Sequence, residues 1–376
     1  MNPMLHVING DATLAILKQS PVKGTFLVWK DMLMEGPVSG KGASGDIDLK
    51  ARAEFLHAYY GADPKQYLAE MKNLFATLDK AARGKDEVVF WFEEDFFCQI
   101  HLVYLLAHLP SQLKGKGRAS IICPEKPLGV RLPSAFPKLL DGRLPLDPAV
   151  LTLAGKVWKA YSASSNQGWE DFLKWAQSAD HFAPWPLLKS GLRAHLGRLP
   201  AANGGLNAME TALLRSLSDG ALDFAHFCKR VWLEPMVRPL GLGDMQIARY
   251  ALDLAGDAEP WLYVEGADSS PAPGSPLKPY DWKLHLTAAG KARLAETPAA
   301  LQEAAQAATR NGKATSAKAG KKTAKRGKPA IVKVKVKAKV KKPAKKPAKM
   351  SAKSSAKSSA KSPAKSPAGR KAIKRR

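Results

Sequence analysis

The sequence is poor in cysteine and contains no long apolar run, and these two absences exclude several classes of protein. Its three cysteines, Cys98, Cys123 and Cys228, lie far apart, and none belongs to a Cys-x-x-Cys element. Such spacing indicates neither the disulfide framework of a small secreted domain nor a zinc site. No apolar stretch approaches the roughly 20 residues that span a bilayer, and the first residues lack the basic and apolar regions of a signal peptide. We therefore expect free thiols, a cytoplasmic protein and no membrane partner.

Acidic residues are absent from the last part of the chain. Residues 311–376 contain 25 Lys and Arg and no Asp or Glu, whereas residues 1–310 contain 34 basic and 33 acidic residues. The net charge of +26 and the pI near 9.9 therefore arise almost entirely from the C-terminal region. A nearly neutral body with a basic arm is typical of a protein that is tethered to a polyanion.

Aromatic residues are absent from the same C-terminal region, which consists of short units such as KPAK, SAKS and SPAK. Lys, Ala, Pro and Ser cannot bury enough apolar surface to offset chain entropy, so this composition predicts a disordered tail. The units resemble the tails of linker-histone-like proteins. Without aromatic side chains the tail cannot stack on bases, so it predicts binding with little sequence preference. We expect nucleic acid as the partner, DNA more than RNA, and association with the nucleoid; a merely solvated tail is the simpler alternative.

The predicted phosphate contacts of the tail fall in three basic clusters. A lysine that neutralises a phosphate releases a counterion, so each contact changes the slope of log affinity against log salt by roughly −0.9. The clusters consist of Lys321, Lys322, Lys325 and Arg326, then Lys341, Lys342, Lys345, Lys346 and Lys349, and finally Arg370, Lys371, Lys374, Arg375 and Arg376.

Strand-like and helical segments alternate over the first 130 residues. The four strand-like runs are continuously apolar, as strands covered on both faces tend to be. The alternation predicts an α/β N-terminal domain with a parallel sheet over residues 1–130. The predicted strands are Leu5 to Ile8, Thr25 to Trp29, Glu87 to Phe92 and Ala119 to Cys123, and the predicted helices are Ala12 to Gln19, Leu49 to Tyr60, Pro64 to Ala82 and one that Asp95 opens.

The rest of the body divides into two further regions, and a disordered linker and the Lys-rich tail follow at residues 298–376. Residues 131–204 read as a helical connector rich in tryptophan. Residues 205–297 contain three helical patterns, two strand-like runs and a final helix, an order typical of a winged-helix α+β domain. Its third helix, Asp244 to Ala255, would present Gln246 and Arg249 to a DNA groove. The same helix carries acidic residues that phosphates repel, so contact with a protein partner is the alternative to contact with DNA.

Three motifs in the N-terminal region resemble a known bacterial family. They are HVINGD at residues 6–11, LVWKDMLMEGP at 27–37 and WFEEDFFCQIHLVYLL at 91–106. Together, and in this order, they resemble the family catalogued as domain of unknown function 1835. The family has no assigned activity, so the resemblance implies no reaction; relatives often continue with a segment like residues 205–297. The tail lies outside the resemblance.

The motifs place many polar side chains where the predicted strands end. Because ligands of open α/β sheets bind beyond the carboxyl ends of the strands, we expect these side chains at one crevice. Clustered carboxylates repel unless a hard cation, protonation or a basic partner relieves them, so Mg²⁺ is the candidate cofactor. Helix capping by Asp11 and Asp95 and a simple Gly36-Pro37 turn are the structural alternatives. The candidate ligand or metal residues are Asn9, Gly10, Asp11, Asp31, Glu35, Glu93, Glu94 and Asp95.

The leading hypothesis from the sequence is a DNA-associated accessory or regulatory protein. In this hypothesis the tail supplies nonspecific affinity and the α/β domain senses a ligand. One alternative is a metal-dependent phosphoesterase or nucleotide-processing enzyme that uses the acidic crevice. Another is a nucleoid-compaction protein that acts through its tail. No residue pattern identifies a catalytic group.

Overall fold

A mostly parallel sheet forms the centre of the N-terminal region. In the computed structural model, strands β1 (Met4–Asn9), β2 (Thr25–Trp29), β3 (Glu87–Trp91) and β4 (Ala119–Ile122) are parallel. A short strand, β5 (Leu144–Pro145), is antiparallel to β4, and the strand order is β2-β1-β3-β4-β5. The described residues are 3–39, 47–114, 118–124, 127–163, 169–172, 174–175, 181–199, 205–256, 258–268 and 271–297.

Side chains on both faces of the sheet are buried, which explains the continuous apolar runs. Ile8 and Trp91 pack on one face with Leu17 and Phe136, whereas Val7 and Phe90 belong to the larger core on the other face. Parallel strands covered on both sides need apolar residues at every position. The predicted parallel α/β architecture is therefore confirmed, and all four predicted strands are present.

Four helices connect these strands, and three of them begin at an aspartate cap. The helices are α1 (Asp11–Gln19), α2 (Leu49–Tyr60), α3 (Pro64–Arg83) and α4 (Phe96–Ala107). Asp48, Asp63 and Asp95 accept hydrogen bonds from backbone N–H groups in the first turns of α2, α3 and α4. Such caps satisfy N–H groups that the helix itself leaves unpaired. Helix α1 differs, because Gly10 stands at its N-cap without a side-chain hydrogen bond.

Further helices extend the core beyond the predicted boundary at residue 130, and three of them have bounds within the described residues. They are α5 (Phe136–Asp141), α6 (Pro148–Tyr161) and α7 (Pro186–Leu196). Both α6 and α7 contact α4, which is buried along almost its whole length. A side chain at Gly191 of α7 would press tightly against Phe96 at the start of α4. The glycine therefore allows α7 to approach α4 closely. The described residues of these elements and of the sheet belong to one compact unit.

The last described region combines helices with a small antiparallel sheet. Its elements, in chain order, are α8 (Ala208–Arg215), β6 (Leu222–Asp223), α9 (Phe224–Leu233), α10 (Asp244–Ala255), β7 (Leu262–Glu265), β8 (Lys283–Leu286) and α11 (Ala288–Ala295). The strand order is β6-β8-β7, with antiparallel pairing throughout. Asn207 and Glu210 form a reciprocal capping box at the start of α8, which stabilises its first turn. We call residues 205–297 the C-terminal module.

One glycine explains part of the sequence at the end of this module. Gly290 lies in the first turn of α11, where a side chain would collide with the carbonyl oxygen of Trp261. Thr287 caps the helix by accepting a hydrogen bond from the N–H of Gly290. The sequence Leu-Thr-Ala-Ala-Gly therefore joins the last helix closely to the start of β7.

Within the described residues, no helix has both the length and the apolar character needed to cross a membrane. The predicted tail, with all of its basic clusters, lies outside the described residues.

Candidate functional site at the carboxyl edge of the sheet

The carboxylate of Asp31, which follows β2, forms a salt bridge with Arg52 of α2. Its Oδ1 accepts a hydrogen bond from Arg52 Nη2 at 2.5 Å, and its Oδ2 accepts one from Tyr67 Oη at 2.9 Å. The side chains of Asp31 and Arg52 are both fully buried. Burial alone would lower the pKa of Arg52, but attraction to Asp31 raises it above its ordinary value. Asp31 is therefore a structural partner of Arg52 and not an open metal ligand.

Arg52 also fixes the loop that follows β2, which we call the β2 loop (residues 30–38). Its Nη1 donates to the carbonyl oxygens of Glu35 and Pro37, at 2.8 and 3.0 Å. From α4, His101 Nε2 accepts a hydrogen bond from Leu33 N at 3.0 Å. Burial lowers the pKa of His101 to about 3, so its ring is neutral. Hydrogen bonds from Arg52 and His101 thus hold the loop formed by the second of the three motifs.

Glu35, also in the β2 loop, connects the α/β region to the C-terminal module. Its Oε1 accepts hydrogen bonds from Arg198 Nη2 at 2.9 Å, Gln246 Nε2 at 3.0 Å and Tyr250 Oη at 2.7 Å. Arg198 Nη1 donates in addition to the carbonyl oxygen of Met34 at 3.1 Å. Burial opposes the charge of Arg198, but Glu35 and Tyr250 together raise the pKa of its guanidinium. Glu35 is therefore a mostly buried contact between the α/β region and the C-terminal module.

The two residues predicted to face DNA lie at this contact. Gln246 is only 2% exposed and is bound to Glu35, so in this arrangement it cannot reach a DNA groove. The guanidinium of Arg249 lies 4.5 Å from the ring centre of Tyr59 in α2, and its Nε is 3.2 Å from Asp253. Helix α10 thus presents Gln246, Arg249 and Tyr250 to the α/β region. This arrangement does not support the prediction of DNA contacts by Gln246 and Arg249.

The loop between β7 and β8 also contacts the α/β region, at the last turn of α2. Gly274 N donates to the carbonyl oxygen of Ala58 at 3.2 Å. A side chain at Gly274 would collide with the ring of His57, and one at Gly61 would press against Pro276. Residues 57–61, which we call the α2 turn, therefore touch both α10 and the β7–β8 loop.

Asp95 caps α4 and is covered by the C-terminal module. Its Oδ1 accepts a hydrogen bond from Cys98 N at 2.9 Å, and a side chain at Gly241 would collide with its carboxyl group. Burial, with a smaller contribution from the nearby charge of Glu93, raises the pKa of Asp95 to about 6. The order of the parallel strands reverses between β1 and β3, and here Asn9 Nδ2 donates to Cys98 Sγ at 2.9 Å. The capping alternative for Asp95 is therefore confirmed.

The other predicted carboxylates do not complete a metal site. Glu93 Oε1 accepts a hydrogen bond from Leu128 N at 2.7 Å, Glu94 is exposed, and Asp11 lies 3.6 Å from Lys30 Nζ. Among the described residues, no group of three His, Cys, Asp or Glu side chains is placed to hold a metal ion. In the described part of the chain the predicted carboxylates therefore do not come together as one acidic cluster, and a Mg²⁺ site stays a prediction. The carboxylates are kept apart by different partners. Asp31, Glu35 and Asp11 pair with basic side chains, whereas Glu93 and Asp95 accept hydrogen bonds from backbone N–H groups.

A cleft of about 450 Å³ lies at the carboxyl ends of β1 and β2. Its wall combines the turn after β1, the last turns of α2 and the first turns of α3. Gly10 adopts φ +88° and ψ 156°, a conformation that side chains strongly disfavour, and the space beside its Cα is open. The lining includes Asn9, Trp29, Lys30, Tyr60, Glu70 and Phe97. Of the residues predicted to bind a ligand, Asn9, Gly10 and Asp31 line this cleft.

Sequence reasoning missed the partners that decide these roles. Arg52 lies on the face of α2 that also buries Ala53 and Leu56, so a charged residue on an apolar helix face was the available signal. Arg198 and Tyr250 contact Glu35 from positions more than 160 residues away, and no local pattern indicates them.

Comparison of the chain with protein-family models gives no match, and comparison with curated proteins gives none either. The resemblance to domain of unknown function 1835 therefore stays a prediction.

Proposed function

We propose that the protein is a DNA-associated accessory or regulatory protein in which the α/β region senses a small ligand. The Lys-rich tail supplies nonspecific affinity for nucleic acid. The C-terminal module is a winged-helix-like domain that docks on the α/β region and responds to the state of the cleft. Tethering by the tail raises the effective concentration of the folded part near DNA.

The order of elements supports the assignment of the C-terminal module. A helix precedes a short strand, two helices follow, and two longer strands complete an antiparallel sheet in the order β6-β8-β7. In a winged helix, α10 would be the recognition helix and the β7–β8 loop would be the wing. Both of these elements contact the α2 turn. The surface that would read DNA is therefore covered by the α/β region of the same chain.

The observation that carries the sensing proposal is the double role of one helical turn. Leu56 and Tyr60 of α2 line the cleft. Between them in sequence, Ala58 accepts a hydrogen bond from the β7–β8 loop, and Tyr59 lies under Arg249 of α10. A ligand that moves Tyr60 would move the backbone that holds the module. Such a ligand changes docking only by the difference between its affinities for the docked and released states.

The β2 loop provides a second connection between the same two surfaces. Lys30 and Met32 line the cleft, and three residues further along Glu35 binds Arg198, Gln246 and Tyr250. Arg52 holds the intervening backbone through the carbonyl oxygens of Met32 and Glu35. Cleft and docking surface thus share two short segments of chain, which is the physical basis for coupling between them.

A salt titration of nucleic-acid binding tests the role of the tail. Full-length protein, residues 1–310 and a full-length variant with the named tail Lys and Arg residues replaced by Gln would each be titrated with duplex DNA and single-stranded RNA. We expect only the native tail to bind, and about ten phosphate contacts would give a slope near −9 in log affinity against log salt. Equally tight duplex binding by residues 1–310 would contradict this division of roles, because the module would then read DNA without the tail.

A further inference from the structure

Three side-chain donors converge on one carboxylate oxygen where the α/β region meets the C-terminal module. The acceptor is Glu35 Oε1, and the donors are Arg198 Nη2 at 2.9 Å, Gln246 Nε2 at 3.0 Å and Tyr250 Oη at 2.7 Å. The side chains of Glu35 and Arg198 are only 12% and 7% exposed. A guanidinium, an amide and a phenol that point at one oxygen form a binding site for an oxyanion. In the docked arrangement its occupant is a side chain of the same chain.

Two of the three donors belong to a polar stripe along α10. The stripe consists of Gln246, Arg249, Tyr250 and Asp253, whose spacings of three and four residues place them on one face of the helix. This face contacts the α/β region through Glu35 and Tyr59. In a winged helix, α10 would be the helix that meets nucleic acid. The α/β region therefore lies on the face that the winged-helix assignment gives to DNA.

The donors around Glu35 are also the donors that proteins use for phosphate. Arg, Gln and Tyr side chains all bind the phosphate oxygens of DNA, and a guanidinium holds two oxygens of one phosphate as it holds a carboxylate. Both terminal nitrogens of Arg198 are engaged by the β2 loop, because Nη1 donates to the carbonyl oxygen of Met34 at 3.1 Å. Departure of the loop would expose both nitrogens and leave the charge of Arg198 without its counter-ion.

Two aspartates of α10 would repel a phosphate, but neither opposes this site with a free charge. Asp253 Oδ1 lies 3.2 Å from Arg249 Nε, so the two charges of this pair offset each other within the stripe. Asp244 accepts hydrogen bonds from Tyr280 Oη and Met245 N. It precedes Gln246 by two residues, or about 200° of helical turn, and so lies on the opposite face. The stripe is therefore neutral in sum, and Arg198 makes the site beside it positive.

We propose that Arg198, Gln246 and Tyr250 form a binding site for a phosphate of the DNA backbone, and that Glu35 occupies this site as an intramolecular competitor. The inference rests on the proposed docking of the module and names the group that replaces the α/β region on α10. The docked state is autoinhibited, because the module reaches DNA only after the β2 loop leaves. Backbone phosphates are alike in every sequence, so this contact positions the module and does not read bases.

The binding of short duplex DNA by released and docked protein tests this assignment. The starting protein is the full-length variant with the named tail Lys and Arg residues replaced by Gln, which we call the tail-reduced protein. Fluorescence anisotropy is measured at about 50 mM salt, where phosphate contacts are strong. We expect Glu35→Gln to raise the affinity of the tail-reduced protein for duplex DNA by about 10-fold. Glu35→Lys, which places like charge against Arg198, should raise it at least as much.

Further substitutions locate the contact. In the Glu35→Gln background, Tyr250→Phe removes only the phenolic O–H and Gln246→Met only the amide, and each should reduce the gain by about 3-fold or more. Glu54→Gln and Glu54→Lys make the same charge changes at an exposed glutamate of α2 and should change affinity by less than about 2-fold. Glu35→Asp withdraws the competing carboxylate by one methylene and serves where a larger change unfolds the chain. Circular dichroism confirms the fold of each variant.

Hydrogen exchange of α10 in the same variants reports release of the module independently of DNA. Faster exchange in α10 without a gain in DNA affinity would overturn the phosphate site and leave the docking in place. A gain that persists in Tyr250→Phe and Gln246→Met would overturn it too, because DNA would then bind elsewhere. Unchanged exchange in every Glu35 variant would remove Glu35 as the competitor. Binding of single-stranded RNA but not of duplex DNA would overturn the assignment to DNA. The salt titration of the native tail is unaffected by these outcomes, so a failure of the proposed function shows separately.

Discussion

Glu35 Oε1 and Gln246 Nε2 lie 3.0 Å apart although 211 residues separate them in sequence. The first residue belongs to a motif that the sequence places at a ligand site, and the second to a helix that it places on DNA. Their hydrogen bond assigns both to the contact between the α/β region and the C-terminal module. Arg198 and Tyr250 complete that contact on the same carboxylate oxygen.

Replacing Glu35 by glutamine tests how much this contact contributes to stability. The change leaves Arg198 buried with no charged partner, and breaking a buried ion pair in this way costs about 3 kcal/mol. We expect urea denaturation to show that loss, and hydrogen exchange to show faster exchange in α10. Glu54→Gln, on the exposed side of α2, should change stability by less than about 0.5 kcal/mol. Unchanged exchange in α10 would mean that Glu35 does not hold the module.

Asp31 and Arg52 form a second buried pair, and a double variant separates charge from packing. Asp31→Asn alone leaves the Arg52 guanidinium buried without its counter-ion and should destabilise the fold by about 3–5 kcal/mol. Combining Asp31→Leu with Arg52→Met removes both charges and should recover most of that loss in denaturant unfolding. A double variant as unstable as the single one would show that the hydrogen bonds of Arg52 to the β2 loop matter more than its charge.

Asp95→Asn should make the protein more stable at neutral pH. Because the pKa of Asp95 is raised to about 6 in the folded protein, the folded state binds its proton more tightly than the unfolded state does. Ionisation therefore lowers stability as pH rises from about 4 to 6, and the full cost is present above pH 6. Asparagine keeps the helix cap and avoids this cost, so we expect a gain of about 1–3 kcal/mol at pH 7.5 and none near pH 4.

Asp63→Asn is the matched control, with the opposite sign. Asp63 is an exposed cap of α3, and hydrogen bonds from the N–H groups of Gln66 and Lys65 lower its pKa. The stability that its ionised form contributes is present above the pKa of the unfolded state and is lost as pH falls through the lower folded value. Melting curves at pH 4 and pH 7.5 should therefore show no stabilisation of Asp63→Asn at the higher pH. A pH-independent effect of Asp95→Asn would contradict the raised pKa of Asp95.

Replacing either of two helical glycines by alanine should change the stability of the protein in opposite directions. Alanine at Gly290 would collide with the carbonyl oxygen of Trp261, and such crowding costs about 1–3 kcal/mol. Alanine at Gly155 of α6 would enter open space and should stabilise the helix by about 0.5–1 kcal/mol. Thermal unfolding of the two variants checks the pair. Equal effects would mean that α11 can shift away from β7.

Local patterns predicted the helices and long strands well, because burial on both faces and aspartate caps leave direct signals in sequence. Helix α3, for example, begins at Pro64 as predicted, and Asp63 caps it. Strands β5 and β6 have two residues each, and Leu144 in β5 is 69% exposed. Such short, open strands carry no periodic signal, so the sequence analysis missed them.

The predicted site residues lie near one edge of the sheet, but their carboxylates are held apart by other partners. The parallel strands do bring their carboxyl ends to one edge, and Asn9 and Gly10 do line a cleft there. Whether a carboxylate there is open to a ligand depends on partners from distant elements, because Arg52 pairs with Asp31 and Arg198 pairs with Glu35. Long-range pairing of this kind depends on tertiary packing, which spacing along one sequence does not encode.

The α2 turn restricts how the chain can change in evolution or in design. Because Tyr59 faces α10 and Tyr60 faces the cleft, the two surfaces use neighbouring residues on one backbone. A C-terminal module transplanted from another protein would fit only if its α10 and β7–β8 loop matched this turn. Exchanging the module together with α2 would carry the matched surface along, but would also alter the cleft. If the cleft binds a ligand as proposed, recognition of that ligand and fit of the docking surface therefore change together.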